Sequence, residues 1–222
     1  MNNPNIKFIF IRHGKLDLPY KDHSEMPLSV IADLGTTKLD PGIDMNFLRN
    51  KAEILTNELP LEMIQRIVVS TSQRCIETGS LIAHIIKQKT NRDLPIFQEE
   101  NLREVRFDIM KITEEFDTKP ELPELNKLIF QAMVGIREDS ELASSALDRA
   151  INIIEKYKKE DGITLFITHS FMLEALQMYI SNKNTRNPNK QYEILLNVPR
   201  IKYACGFTMN SSTSKIISYI NT

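Results

Sequence analysis

Apolar residues along this chain alternate between two kinds of pattern. Residues 6 to 11 (IKFIFI), Arg66 to Ser70 (RIVVS) and Ile163 to Thr168 (ITLFIT) are short, nearly continuous apolar runs rich in β-branched and aromatic side chains. Such runs predict strands covered on both faces. Behind the second run, Cys75, Gly79, Ile82, Ala83 and Ile86 recur at helical spacing, and behind the third Met172, Ala175, Leu176 and Tyr179 do the same. Two further amphipathic helices stand between strands. One turns Leu48, Ala52, Leu55 and Leu59 inward. The other carries Ala143, Ala146, Leu147, Ala150, Ile154 and Tyr157, is expected to open near Asp139 or Ser140, and closes at Gly162 behind Lys158 and Lys159. Residues 94–98, Tyr203–Met209 and Lys215–Ile220 add strands, the last two joined by a short polar turn into an antiparallel hairpin. Strands alternating with helices predict an α/β fold, a three-layer α/β/α sandwich with a mainly parallel sheet and an antiparallel edge.

Two stretches escape this periodicity. From Lys15 to Asp44 no period is sustained, and Pro19, Pro27, Gly35, Pro41 and Gly42 interrupt the chain; a loop of that length in a compact domain is usually functional or disordered. Residues 105–139 predict a helix from Glu121 to Val134, set off by Pro120 and Pro123. No internal repeat or linker divides the sequence. The expectation is one domain, 1–222, with a variable loop at 15–44 and an insertion at 105–139.

Composition narrows the function classes. The 222 residues are 41% hydrophobic and 26% charged, which suits a globular protein and excludes disordered or collagen-like classes. Lys and Arg number 28 against 29 Asp and Glu, so no global field favours nucleic acid or an anionic membrane, although a local basic pocket is compatible with that balance. Two cysteines, Cys75 and Cys205, make neither a disulfide framework nor a four-cysteine zinc site. The first apolar run is too short to span a membrane, and Arg12, His13 and Lys15 follow it, reversing the charge order of a secretory signal. A cytoplasmic protein is expected, with no membrane or nucleic-acid partner; its oligomeric state is open.

Candidate chemistry gathers where strands end. The first runs into Arg12-His13-Gly14, the second into Ser70-Thr71-Ser72-Gln73-Arg74, and the third into Thr168-His169-Ser170. In open α/β sheets, ligands bind beyond the carboxyl ends of the strands. Each signal alone has a plain structural reading: a packed histidine at a strand end, or an arginine solvated or paired with a carboxylate such as Glu77. A glycine after His13 would let backbone approach a ligand closely. Ser70, Thr71 or Ser72 could cap the following helix, and Arg74 in its first turn opposes the helix dipole unless an anion stands there. Together, two imidazoles and two guanidinium groups converge on one rim. Zinc would want further ligands, and no H-E-x-x-H motif occurs; a P-loop and a G-x-S-x-G elbow are also missing. Phosphate fits best, with arginines for its oxygens and imidazoles as nucleophile and partner.

These segments, FIRHGK (10–15), STSQRCIETG (70–79), NLRE (101–104) and FITHS (166–170), resemble the histidine phosphatase superfamily, the phosphoglycerate mutase-like proteins, in order and spacing. The resemblance implies a three-layer α/β/α fold and a phosphohistidine mechanism. It implies His13 as the nucleophile, Arg12, Arg74 and His169 as the pocket for phosphate oxygens, and Glu104 as the general acid and base. Asp108 is the fallback acid, because Glu104 lies in a charge-rich segment that could be a solvated face. Lys15 and His23 are possible extra contacts or plain surface residues. Departures follow Gly14, where Lys15, Leu16 and Pro19 replace the family's usual residues, and follow Glu104, where Arg106-Phe107-Asp108-Ile109-Met110 replaces Gly-x-x-Glu-Gly. Glu141 answers to the glutamate of the family's Gly-Glu-Ser element, without matching neighbours. No His-Asp pair follows at 169, unlike the acid phosphatase branch.

The expected function is a metal-independent phosphomonoester hydrolase, a histidine phosphatase acting on a small phosphorylated substrate with no cofactor. Two rivals stand: a phosphomutase that shares the first half-reaction, and a non-catalytic phospholigand-binding module.

Overall fold

The computed structural model describes residues 7–181, 185–210 and 215–220. The elements in chain order are β1 (Phe8–Arg12), α1 (Leu28–Gly35), α2 (Met45–Glu58), β2 (Ile64–Val69), α3 (Gln73–Thr90), β3 (Ile96–Gln98), α4 (Ile109–Ile112), α5 (Leu122–Met133), α6 (Ala143–Lys158), β4 (Ile163–Thr168), α7 (Ser170–Ser181), α8 (Pro188–Asn197), β5 (Gly206–Asn210) and β6 (Lys215–Ile220). One sheet takes the order β3-β2-β4-β1-β5-β6. β1, β2, β3 and β4 pair in parallel, while β5 runs antiparallel to β1 and β6 antiparallel to β5. This is the α/β arrangement expected from the sequence, antiparallel edge included.

The continuous apolarity of the central strands follows from cover on both faces. In β1, Phe8 and Phe10 pack with α5, α6 and α7, whereas Ile9 and Ile11 pack with α2 and α3. Phe166 of β4 joins the first face, stacking on Phe10 at 4.9 Å, and Leu165 and Ile167 join the second. The period of two along each strand thereby feeds two separate cores. α3 lies unusually close to β2, because a Cβ at Gly79 would stand 2.5 Å from Val69 Cγ1. Gly79→Ala should therefore lose stability despite the better helix propensity of alanine. Overpacking of about 1–3 kcal/mol against a propensity gain of up to ~1 leaves a net loss of about 1 kcal/mol, measured as a lower urea midpoint at constant slope.

Several boundaries differ from the sequence reading, each for a local reason. The strand expected at 6–11 runs over Phe8–Arg12, with Lys7 just ahead of it; Ile6 lies outside the described residues, as do residues 211–214 of the expected polar turn. The last hairpin begins at Gly206 rather than Tyr203, because Ala204 takes a left-handed φ of 55°. α6 opens at Ala143, not at Asp139 or Ser140: Ser140 Oγ and Glu141 N both donate to Arg106 O, at 3.2 and 2.7 Å, holding those residues against the preceding segment. The aperiodic stretch 15–44 contains α1, which fully buries only Ile31 and Leu34 of its apolar side chains, with Leu28, Val30 and Ala32 partly buried beside them. The insertion adds the single turn α4 to the expected α5, and α8 follows where no helix is expected. Among the described residues no helix is long and apolar enough to cross a membrane.

Candidate active site

Sheet order sets β4 between β2 and β1, and the register brings Arg12 level with Thr168 and Val69 level with Ile167. The chain leaves all three strands at the same height. His13 N donates to Thr168 O (3.0 Å) and Ser70 N to Ile167 O (3.0 Å), so the ladders continue through the first residues beyond the strands. The His13 and His169 rings consequently meet, centroids 5.2 Å apart and inclined by 65°. Arg12, His13, Arg74 and Glu104 line a single cavity of about 620 Å³; His169 is buried against the His13 ring and is not itself part of the lining.

The hydrogen bonds define the state of His13. Its Nδ1 lies 2.7 Å from Gly14 O; a carbonyl only accepts, so Nδ1 carries the proton and Nε2 has the lone pair in the neutral ring. Burial first, then the charges of Arg74, His169 and Arg12, push the His13 pKa well below the usual imidazole range. Burial, Arg74 and Arg12 act on His169 in the same direction. His169 Nε2 sits 3.0 Å from Ser70 Oγ. Its Nδ1, with Arg12 Nε, completes the set of buried side-chain nitrogens and oxygens that lack a partner among the described residues. Buried polar atoms without partners are rare in native proteins.

Arg12 is fixed from two sides. Nη1 donates to Ile201 O at 2.9 Å, and the guanidinium carbon lies 4.0 Å above the Tyr203 ring. Arg74 is buried and pairs with Asp40 Oδ1 at 3.0 Å, while Asp40 Oδ2 accepts from Gln73 N at 2.8 Å. The anion required at the start of α3 is thus the chain's own Asp40. Glu77, the partner considered from sequence, instead accepts from Ile43 N and Gln73 Nε2. Ser72 holds the N-cap position without a side-chain cap bond; its carbonyl accepts from Cys75 N and Ile76 N at 3.0 and 3.1 Å. Gly14 is tightly packed: a Cβ there would lie 3.2 Å from Leu48 Cδ1.

Glu104 Oε1 accepts from Val105 N (3.0 Å) and Met172 N (3.2 Å). Burial raises its pKa, and these two amides with Arg74 and Arg12 oppose the rise without cancelling it. Asp108 caps α4, accepting from Lys111 N at 3.3 Å, and does not line the cavity. Glu141 is structural. It pairs with Arg103 (2.8 Å) and Arg149 (2.8 Å), and Arg149 Nη1 also donates to Asn101 O at 2.6 Å, clamping the segment that carries Glu104. Burial favours the neutral acid at Glu141, but the guanidinium bonds outweigh it and lower the pKa. His23 lines the cavity and stacks on Tyr203, with burial and then Arg12 and Arg200 lowering its pKa to about 4; Lys15 is not part of the lining. Among the described residues no group of three or more His, Cys, Asp or Glu side chains is placed to hold a metal ion. Cys75 Sγ is 3.6 Å from His169 Nε2, but burial pushes the thiol up to about 12, so it stays protonated.

Sequence reasoning missed Ser70 as the partner of His169, Tyr203 beneath Arg12, and the pairing of buried Glu174 with the exposed Arg200. One of these has a readable signal. Glu174 is a single carboxylate inside the apolar run FMLEALQM, and a charge there has to be paired. It is fully buried, and burial, only partly offset by Arg200 and Arg12, raises its pKa to about 7.

Comparison with known proteins gives a consistent picture. The sequence model of the histidine phosphatase superfamily (branch 1) matches residues 49–194, a span that holds Arg74, Glu104 and His169 but stops short of Arg12 and His13. No curated protein sequence matches the chain. Among solved structures, a mycobacterial glucosyl-3-phosphoglycerate phosphatase superposes with a TM-score of 0.65 at 12% identity, covering 98% of this chain and 99% of that one. A protein described as mycobacterial hydrolase 1 gives 0.65 at 14% identity, with 98% and 99% covered. A phosphoglycerate mutase from Bacillus anthracis gives 0.58 at 16% identity, with 98% and 93% covered. At such identities the likeness is one of fold.

Proposed function

Because the chain belongs to the histidine phosphatase superfamily, we propose that it is a metal-independent phosphomonoester hydrolase working through a phosphohistidine at His13. The observation that carries this reading is the Nδ1–Gly14 O hydrogen bond, which leaves Nε2 of a neutral, buried imidazole free to attack. His169, Arg12 and Arg74 would receive the phosphate oxygens. Their fixed donors oppose the charge that spreads over those oxygens in the transition state. A neutral His169 that accepts from Ser70 carries its proton on the partnerless Nδ1, ready to donate to such an oxygen.

In the first step the Nε2 lone pair bonds to phosphorus as the ester P–O bond breaks. Protonated Glu104 gives its proton to the departing oxygen. The positive charge acquired by the phosphorylated ring faces the Gly14 carbonyl. In the second step ionised Glu104 takes a proton from water, the water oxygen bonds to phosphorus, and the P–N bond breaks, restoring both residues. No cofactor takes part.

The test is a burst experiment with p-nitrophenyl phosphate and a chelator present. The expected result is one equivalent of nitrophenol released ahead of steady turnover, or a labelled phosphoryl group trapped on His13 after an alkaline denaturing quench. Chased in water, that label should appear as inorganic phosphate at least as fast as turnover. Discharge only to an added alcohol would make the protein a phosphomutase, and ester binding without label or turnover would make it a binding module.

A further inference from the structure

The cavity extends well past the groups assigned to phosphate, and its far wall is hydrocarbon. Ile31 and Leu34 of α1, Leu125 and Ile129 of α5, Phe107 and Phe171 all line it, and each is buried. Most polar groups in the lining are already committed to one another. Arg200 Nη1 is paired with buried Glu174, Arg200 Nη2 lies 3.3 Å from Asn126 Oδ1, and Ser170 Oγ donates to Glu174 Oε1 at 3.2 Å. The Arg200 guanidinium also covers the Phe130 and Phe171 rings at 5.3 and 5.2 Å. Asp22 Oδ1 accepts from Ser24 N at 2.8 Å, and a pKa near 4 keeps His23 uncharged. The remaining cations of the lining are Lys51 and the exposed Lys202. A sugar or glycerate carried on the phosphate would want several partners in this wall, and most of the wall's polar groups are already engaged with one another.

From this wall, and resting on the phosphatase reading above, we infer that the substrate is a phosphomonoester of an apolar alcohol, with an alkyl chain or aromatic body seated against α1 and α5. A volume of about 620 Å³ exceeds what a bare phosphate or a three-carbon acid fills and falls within the roughly 300–1,000 Å³ of sites for larger ligands. α1 lies within the stretch 15–44, and Phe107 and α5 within 105–139, so the chain's two aperiodic stretches build the wall that chooses the alcohol.

The test is kcat/KM for ethyl, butyl, hexyl and octyl phosphate beside glucose 6-phosphate and 3-phosphoglycerate. Linear alkoxides are similar leaving groups, so the series reads burial of the chain and not chemistry at phosphorus. The expected gain is about three- to fourfold per methylene until the cavity is full, with octyl phosphate above both polar esters. Leu125→Trp, which fills the space, should shrink the octyl-to-ethyl ratio by about tenfold or more; if that variant does not fold, the wild-type series decides alone. A flat series, or 3-phosphoglycerate preferred through the two lysines, overturns the inference and leaves the phosphatase reading standing. No turnover of any ester overturns both.

Discussion

His13→Ala is expected to lower kcat/KM for p-nitrophenyl phosphate by about 10³–10⁶-fold and to abolish the trapped phosphoenzyme. The size follows from what the site offers in its place. Nothing nearby can inherit the nucleophilic role: Cys75 is held protonated by burial, with a pKa near 12, and does not line the cavity. His169 is neutral and beside the ester's expected position, but its Nε2 is engaged by Ser70. What survives is the electrostatic contribution of Arg12 and Arg74, which binds phosphate without attacking it. The variant should therefore still bind inorganic phosphate, seen by calorimetry, with a dissociation constant within about tenfold of wild type. Turnover retained within tenfold, or a label recovered on another side chain, would remove His13 from the mechanism.

What could be read from the chain depended on whether the physics was local. A strand buried on both faces writes itself as a continuous apolar run, so β1, β2 and β4 were legible, and the side chains just past their ends came with them. Parallel pairing then does the remaining work, because a shared register brings residues 13, 74 and 169 to one rim. Partnerships across long separations leave no such trace. Asp40 meets Arg74, Tyr203 meets Arg12, and Arg200 meets Glu174 only once the loops are in place. α1 and α8 were illegible for a different reason: the first buries only Ile31, Leu34 and Gly35 and the second only Leu195, too few positions to establish a period. The assignment of the acid also waited for geometry. Glu104 and Asp108 lie four residues apart in one charge-rich stretch, and only the cavity separates one that faces His13's side from one that caps a helix.

Glu104→Gln should slow steady-state hydrolysis of alkyl phosphates by about 10²–10⁴-fold, and the pattern across substrates and pH identifies why. An alkoxide leaves poorly without a proton, whereas p-nitrophenolate leaves unaided. On p-nitrophenyl phosphate the variant should complete the first step, release one equivalent of nitrophenol and then stall, because glutamine cannot take a proton from water; phosphoenzyme should accumulate. The pH profile carries the same signature. Since burial raises the Glu104 pKa above its usual value and lowers that of His13, wild-type kcat/KM for an alkyl ester should fall on the alkaline side as Glu104 ionises and on the acid side as His13 is protonated. The variant should lose the alkaline limb and keep the acid one. Stability supplies the control. A carboxyl whose folded pKa is raised contributes stability that is complete below its unfolded value, near 4.5, and is lost as pH rises through the folded value. Above its raised folded value the ionised Glu104 is thus a cost to folding, and there the amide, free of charge, should match or exceed the wild-type Tm. A variant that unfolds early, or that keeps the alkaline limb and leaves nitrophenol release steady, would transfer the proton chemistry to another group.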